Sequence, residues 1–473
     1  MKKMNVQRRS FIAGLATLGI APSVLSNDAP ALVRHDVVVV GGGPAGVCAA
    51  IAAARHGADV LVVEQGNCLG GMATQGLVGP FMTCYDTTGE VQLIKGIFDE
   101  IVRRMVSIGG AIHPSEVRKG TSFAAWHTVG HDHLTPFEPE ALKFVLDDIC
   151  AECGVKVLYH ATFTAPMMEG NRVAGVEVFT KAGFKRIGAS VVIDATGDGD
   201  VAFRAGAPCE LGDTERACAM QPATMFFRIG NLPEAAVEAV RAKYPQDNRA
   251  FMTLLKQARA DGNWSIPRPH INIYRGVKSD EWFVNVSRLT GVDGTEPESL
   301  SNGETQGRRQ VREVIAFLRK YVPGAQDLRL LSTASTLGIR ETRHVQGEYV
   351  LGKDDILEGH RPSDSVVLCS NSIDLHGGAG RSGTLYIAVK NGTSYGVPYR
   401  SLVPQKVEGL LVAGRCVSAT SVAAAAIRVV PPCMAMGQAA GTAAAMAVAG
   451  SVAPRGVDAA ALVATLRADG VAI

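Results

Sequence analysis

Val37-Val38-Val39-Val40-Gly41-Gly42-Gly43-Pro44-Ala45-Gly46 leads into an alanine-rich run, and then Val60-Leu61-Val62-Val63-Glu64-Gln65 follows. The order is apolar run, Gly41-x-Gly43-x-x-Gly46, helical pattern, and a second apolar run closed by an acid. That is one βαβ unit with a dinucleotide-binding turn. Gly41 permits the tight turn, Gly43 and Ala45 leave room for a pyrophosphate at the helix N-terminus, and Gly46 lets helix and strand pack closely. Glu64 stands 23 residues after Gly41, the spacing at which an acid accepts hydrogen bonds from a ribose, with Gln65 beside it.

The segment before this unit is read as an address rather than as fold. Lys2, Lys3, Arg8 and Arg9 occur there without an acid, Phe11 to Leu25 is mildly apolar, and Val24-x-Ser26 is a small-residue exit. This is the order of a secretory signal over residues 1–26. Arg8-Arg9-Ser10-Phe11-Ile12 matches the twin-arginine pattern, so export to the periplasm in a folded, cofactor-loaded state is expected. The apolar part is too short and too rich in Gly, Ala and Thr to span a bilayer stably, and an integral membrane protein is not expected.

Removing the leader takes the formal charge from +2 to about −2, which gives no reason to expect nucleic acid as a partner. Ten cysteines in an exported chain raise the question of disulfides. Cys48, Cys416 and Cys433 fall in small-residue runs, where Cys acts as a small hydrophobe. Cys150-Ala-Glu-Cys153 closes a helix instead of opening one, which disfavours a redox pair. No cysteine run has iron–sulfur spacing. His127, His131 and His133 lie in an irregular stretch without a second ligand cluster, so no metal is expected.

Further along, Glu138-Pro139-Glu140 opens a helix to Cys153, and Val155–Tyr159 reads as a strand. Asn171–Phe179 and Phe184–Ile187 read as a hairpin, and Val191–Asp194 as a strand ending in Ala195-Thr196-Gly197-Asp198. Helical patterns at Glu234–Lys243 and Gln306–Tyr321 and a strand at Trp282–Val286 lack any glycine fingerprint. Gly409 to Arg415 returns to a strand ending at Gly414, and Cys433–Ala449 is a helical run. Gly378-x-Gly380-x-x-Gly383 repeats the fingerprint, but the strand pattern after it disqualifies it as a phosphate loop.

These landmarks continue with Leu69-Gly70-Gly71-Met72-Ala73-Thr74, Gly338-Ile339-Arg340-Glu341-Thr342-Arg343, Val397-Pro398-Tyr399-Arg400-Ser401-Leu402 and Met434-Ala435-Met436-Gly437-Gln438. Together they resemble the FAD-dependent oxidoreductase family with a glutathione-reductase-type FAD domain, distantly similar to the flavoprotein core of heterodisulfide reductase. The resemblance implies an α/β fold, a Rossmann-like FAD-binding domain with an inserted α+β substrate (cap) domain. It implies FAD as cofactor, held by Gly41, Gly43, Ala45, Gly46, Glu64, Gln65, Gly70, Gly71, Met72, Thr74, Thr196, Gly197, Asp198, Gly414, Arg415 and Met434. The expected division is FAD domain 35–230 and 396–450, cap 231–395, and C-terminal tail 451–473.

A flavin enzyme must hold the ring, stabilise its reduced form and activate a substrate C–H bond. His376 is the candidate base. It follows a strand, precedes glycines, and shares a strand face with Asp374, which would orient it. Arg340, Arg343 and Arg381 are candidates for holding a substrate oxyanion. The His376, Arg340–Arg343 and Pro398–Arg400 segments are expected to converge on the flavin. No second strand–GxGxxG–helix unit exists, so electrons are expected to pass to oxygen, a quinone or a cytochrome-like partner. The leading expectation is hydride removal from an exported small molecule. A reductase of an activated alkene and an electron-transfer accessory subunit are the alternatives.

Overall fold

The computed structural model describes residues 32–216, 219–377 and 383–473. The leader, residues 1–26, and Arg381 lie outside the described residues. The βαβ unit forms as read. Strand β1 (Val33–Val40) pairs in parallel with β2 (Val60–Val63) across helix α1 (Pro44–Arg55), in the register Val37↔Val60 to Val40↔Val63. All four residues of β2 are buried, the continuous apolar run of a strand covered on both faces.

Helices α2 (Ile97–Ser107) and α3 (Pro139–Glu152) precede β3 (Lys156–Leu158), which extends the sheet beyond β2. Strands β4 (Thr162–Glu169), β5 (Arg172–Thr180) and β6 (Gly183–Asp194) form an antiparallel meander. Here the structure joins what the sequence pattern divided, because β6 is one 12-residue strand. Its first half pairs with β5, and its second half pairs in parallel with β1, ending at Val40↔Asp194. A short helix, α4 (Asp200–Arg204), and β7 (Cys209–Leu211) follow.

A second sheet, order β11-β8-β10-β9, is built from β8 (Phe227–Gly230), β9 (Asn272–Arg275), β10 (Trp282–Asn285) and β11 (Arg329–Thr333). It is flanked by α5 (Glu234–Lys243), α6 (Met252–Ala260) and α7 (Pro297–Tyr321). The packing draws the cap differently from the expected 231–395. The second core takes in Trp126 and residues from Ala223 to Leu337, and β8 begins before residue 231. Residues after it, among them Val345, Val366, Tyr395 and Val397, share the core of the first sheet. The sequence boundary rested on where glycine fingerprints stop, whereas the two cores divide by which apolar faces meet.

The chain returns through β12 (Arg343–Val345), α8 (Lys353–Leu357), β13 (Ser365–Cys369), β14 (Ile373–His376), β15 (Thr384–Ile387) and β16 (Tyr395–Pro398). Strand β17 (Leu410–Val412) then adds to the free edge of β6, in the register Leu410↔Val192. The short helix α9 (Ser421–Ile427) packs on β14, and α10 (Val430–Gly450) completes the layer over β1 and β6. No single described helix is long and apolar enough to cross a membrane, and α10 is buried nearly throughout. The expected tail instead holds a packed helix, α11 (Ala459–Ala468), capped by Asp458, with Leu462 and Leu466 in the first core.

Candidate functional site

A cavity of about 440 Å³ connects the Gly41–Ala45 turn to Asp374, His376 and Arg428, a size ordinary for ligand sites. At the turn, Gly41 takes φ +101°, and a Cβ there would lie 2.5 Å from the Ala195 carbonyl oxygen. A Cβ at Gly46 would lie 1.8 Å from the Gly41 oxygen, whereas one at Gly43 would meet nothing within 4 Å. Gly41 and Gly46 are therefore fixed by protein, and Gly43 faces open space. No side chain caps α1, so its first-turn N–H groups are free to meet a pyrophosphate.

Glu64 is buried, and its two carboxylate oxygens accept the N–H groups of Gly42 at 2.7 Å and Gly66 at 2.6 Å. Each oxygen keeps capacity for a ribose hydroxyl. Gln65, Gly71, Met72, Thr196, Gly197, Asp198, Gly414 and Arg415 also line the cavity. Arg415 binds Asp198 at 2.8 Å and Thr342 at 3.1 Å, joining three separate loops. The N-terminus of α10 is uncapped too, and Val429, Val430 and Cys433 bring it to the wall. Two open helix N-termini, a sterically cleared glycine turn and a strand-terminal acid suit an anionic dinucleotide with an electron-accepting ring.

Some expected contributors stand elsewhere. Gly46 packs α1 on the Gly41 backbone, and Gly70 opens the Gly71–Ala73 turn; neither lines the cavity. The Thr74 hydroxyl donates to Leu69 O at 2.7 Å inside its own turn and does not reach the cavity, where Gln75 appears instead. Met434 is buried in α10 beside the lining residue Cys433. Arg343 is spent on Asp200, at 2.9 Å. Tyr399 donates to Pro454 O, and Arg400 pairs with Asp364. The Pro398–Arg400 segment thus lies outside the cavity lining, and does not converge with the other two.

At the far end, β14 puts Asp374 and His376 on one face, as alternation requires. His376 Nε2 lies 3.2 Å from Asp374, and Nδ1 lies 3.0 Å from the Thr384 hydroxyl. Its backbone N–H donates to Gln221 Oε1 at 3.1 Å. Both ring nitrogens are engaged, and only 10% of the His376 side chain is exposed against 45% for Asp374. Burial, and then Arg340, push the imidazole down to about 3 against the pull of Asp374. Burial raises the Asp374 carboxyl, but His376, Arg428 and Arg340 together outweigh it and hold it well below the usual carboxylate range. The pair is a neutral imidazole beside an ionised carboxylate.

Sequence reasoning missed Tyr274 and Asn285, which the second sheet contributes to the lining, and Gln221 and Arg428. Arg428 did carry a signal, being the only charged residue between Arg415 and Arg455. The others sit in ordinary strand or loop contexts, and only the fold brings them here.

The profile of the family described as FAD dependent oxidoreductase matches residues 36–466. Digeranylgeranylglycerophospholipid reductase 1 of Methanococcoides burtonii is 29% identical over 167 residues, 35% of this chain. The match spans 38% of that relative's own length. Among solved structures, L-proline dehydrogenase from P. horikoshii has 13% identity and a TM-score of 0.44, over 89% of this chain and 95% of that one. The myxobacterial chondrochloren halogenase has 13% identity and a TM-score of 0.45, over 92% and 78%. A family match that runs from inside β1 into α11 takes in both sheets and the whole cavity wall, and the chain therefore belongs to the FAD dependent oxidoreductase family, an enzyme with FAD as its cofactor.

Proposed function

We propose that the enzyme oxidises a small organic molecule held against Asp374. The observation that carries this reading is the Asp374–His376 pair in the wall of the same cavity that opens on the glycine turn. FAD supplies the two-electron acceptor for a hydride leaving a substrate C–H bond. The chain's own residues handle the remaining proton. Asp374, the more exposed partner, takes it from the substrate's O–H or N–H group, and the Nε2–H of His376 steadies the carboxylate. Thr384 holds the other ring nitrogen and fixes the tautomer. This reverses the order expected from sequence, in which His376 faced the substrate and Asp374 stood behind.

The two electrons then leave to oxygen, a quinone or a cytochrome-like protein. The lack of a second strand–GxGxxG–helix unit in the sequence supports an acceptor other than a nicotinamide. The Arg8-Arg9-Ser10-Phe11-Ile12 motif supports export through the twin-arginine pathway to a compartment without nicotinamide pools. Replacing both Arg8 and Arg9 by Lys is expected to retain the enzyme in the cytoplasm, and unchanged export would contradict that address.

The oxidation itself is tested by anaerobic mixing of the holoenzyme with small alcohols, amines and hydroxy acids and, separately, with NADH and NADPH. Bleaching of the flavin by an organic compound and not by the nicotinamides supports the reading. Rapid bleaching by NADH or NADPH overturns it.

A further inference from the structure

We infer that the substrate end of the cavity carries a carboxylate-binding subsite made by Arg340 and Arg428, to which the neighbouring Arg268 and Arg288 add their charge. The inference rests on the oxidation reading and names its substrate class, an organic acid oxidised at a carbon near its carboxylate.

Four guanidiniums arrive from four separate parts of the chain: before β9, after β10, before β12, and between α9 and α10. Arg340 and Arg428 line the cavity with Asp374 and His376. Among the described residues, none of the four has a carboxylate within salt-bridge distance. Their partners are neutral oxygens. Arg288 donates to Gly377 O at 2.7 Å, Arg340 to Pro222 O and the Thr224 hydroxyl, and Arg428 to Gln221 Oε1 and the Asp374 carbonyl. The guanidinium of Arg268 has no hydrogen-bond partner among the described residues, although the residue is 5% exposed. Such oxygens satisfy N–H groups without neutralising charge, and a buried charge without a counter-charge is costly.

The acids nearby do not close the balance. Asp374 is already shared with His376. Glu341, the other acid that acts on Arg428, is held by His344, Ser421 and the Gln221 N–H. Burial and mutual repulsion push the Arg340 and Arg268 guanidiniums below their ordinary range. Three buried donors point to the same shortage: Arg268 Nε, Arg428 Nε and Gln221 Nε2 have no partner among the described residues. A planar carboxylate matches the guanidinium fork. A phosphate dianion fits less well, because the Asp374 carboxylate stands in the same wall. A bound carboxylate also offsets the field that depresses Asp374 and His376, so the proton acceptor gains basicity when substrate is present.

The test titrates FAD-loaded enzyme with acetate, propionate and benzoate, with their primary amides, and with inorganic phosphate, reading the flavin spectrum and the melting temperature. Saturable perturbation by a carboxylate but not by its amide is expected. Arg340→Gln should weaken that carboxylate about tenfold or more with FAD content unchanged, and Arg340→Lys should recover part of the loss. Equal binding of amides, binding of phosphate alone, or no response to any carboxylate would overturn the subsite. Should the variants lose FAD, the carboxylate-against-amide comparison on the unaltered enzyme still decides. Carboxylate binding with no compound able to bleach the flavin would leave the subsite standing and remove only the oxidation reading.

Discussion

Glu64 and Asp374 are carboxylates in one cavity, and their surroundings set them apart. Glu64 accepts two backbone N–H groups of the nucleotide turn. Glu64→Ala leaves those buried donors unpaired, at about 1–3 kcal/mol. The expected result is a clear fall in the flavin-to-protein ratio after dialysis, and full FAD retention would contradict the assignment. Asp374 faces the far end beside an almost buried His376. Asp374→Asn should slow substrate-dependent flavin bleaching by about 10²-fold or more with FAD still bound. A wild-type rate in Asp374→Asn together with a large loss in His376→Ala would restore His376 as the group that meets the substrate. The adjacency of this pair was legible in sequence, because two residues apart on a strand share a face. Which partner is the more exposed was not, since it depends on Thr384 and Gln221. The arginines were legible only in part. Arg340 stood out within a motif, while Arg268 and Arg288 are brought near Arg340 by the second sheet, a fold no local pattern announces.

Between elements, the contact that positions the nucleotide turn is α1 on α10. A Cβ at Gly437 would lie 2.0 Å from Ala45 O, and one at Gly441 would lie 2.0 Å from Ala49 O. Both obstacles are backbone, so the helices must separate to accept even a methyl group. Gly437→Ala should cost about 1–3 kcal/mol in denaturant unfolding and also weaken FAD, because Ala45 is part of the turn. Gly450→Ala, where the nearest atom is 3.6 Å away, is the matched control and should be nearly neutral. Equal effects of the two would contradict the close contact. The Ala- and Gly-rich composition of both helices made this packing readable in the sequence. Glycine misled elsewhere. Helix α7 starts at Pro297, well before the expected Gln306, because Gly303 and Gly307 broke the pattern. Those glycines are packing positions, with Leu337 and Met225 against them.

At the scale of the whole molecule, buried histidines tie stability to pH. Burial pushes His127 and His376 down to about 3, and His131 and His270 down to about 4. In the unfolded chain each takes a proton below about pH 6.5. The unfolded state therefore binds more protons between about 6.5 and 4, and stability present above that window is lost as pH falls through it, by up to about 1.4 kcal/mol per pH unit for each histidine. Asp194, pushed up to about 6 by burial, acts in the opposite direction, as do Glu138 and Asp200, whose carboxyls burial also raises, so three carboxyls stand against four histidines. The melting temperature should fall steadily from pH 7 to pH 4.5, and a flat or rising profile would contradict this balance. The central claim, that hydride leaves a substrate carbon at the Asp374 end of the FAD cavity, is tested most directly by anaerobic single-turnover mixing with a substrate deuterated at that carbon. Flavin bleaching should slow on deuteration, and slow further in Asp374→Asn with FAD content unchanged. Bleaching that ignores both the isotope and the substitution would contradict the claim.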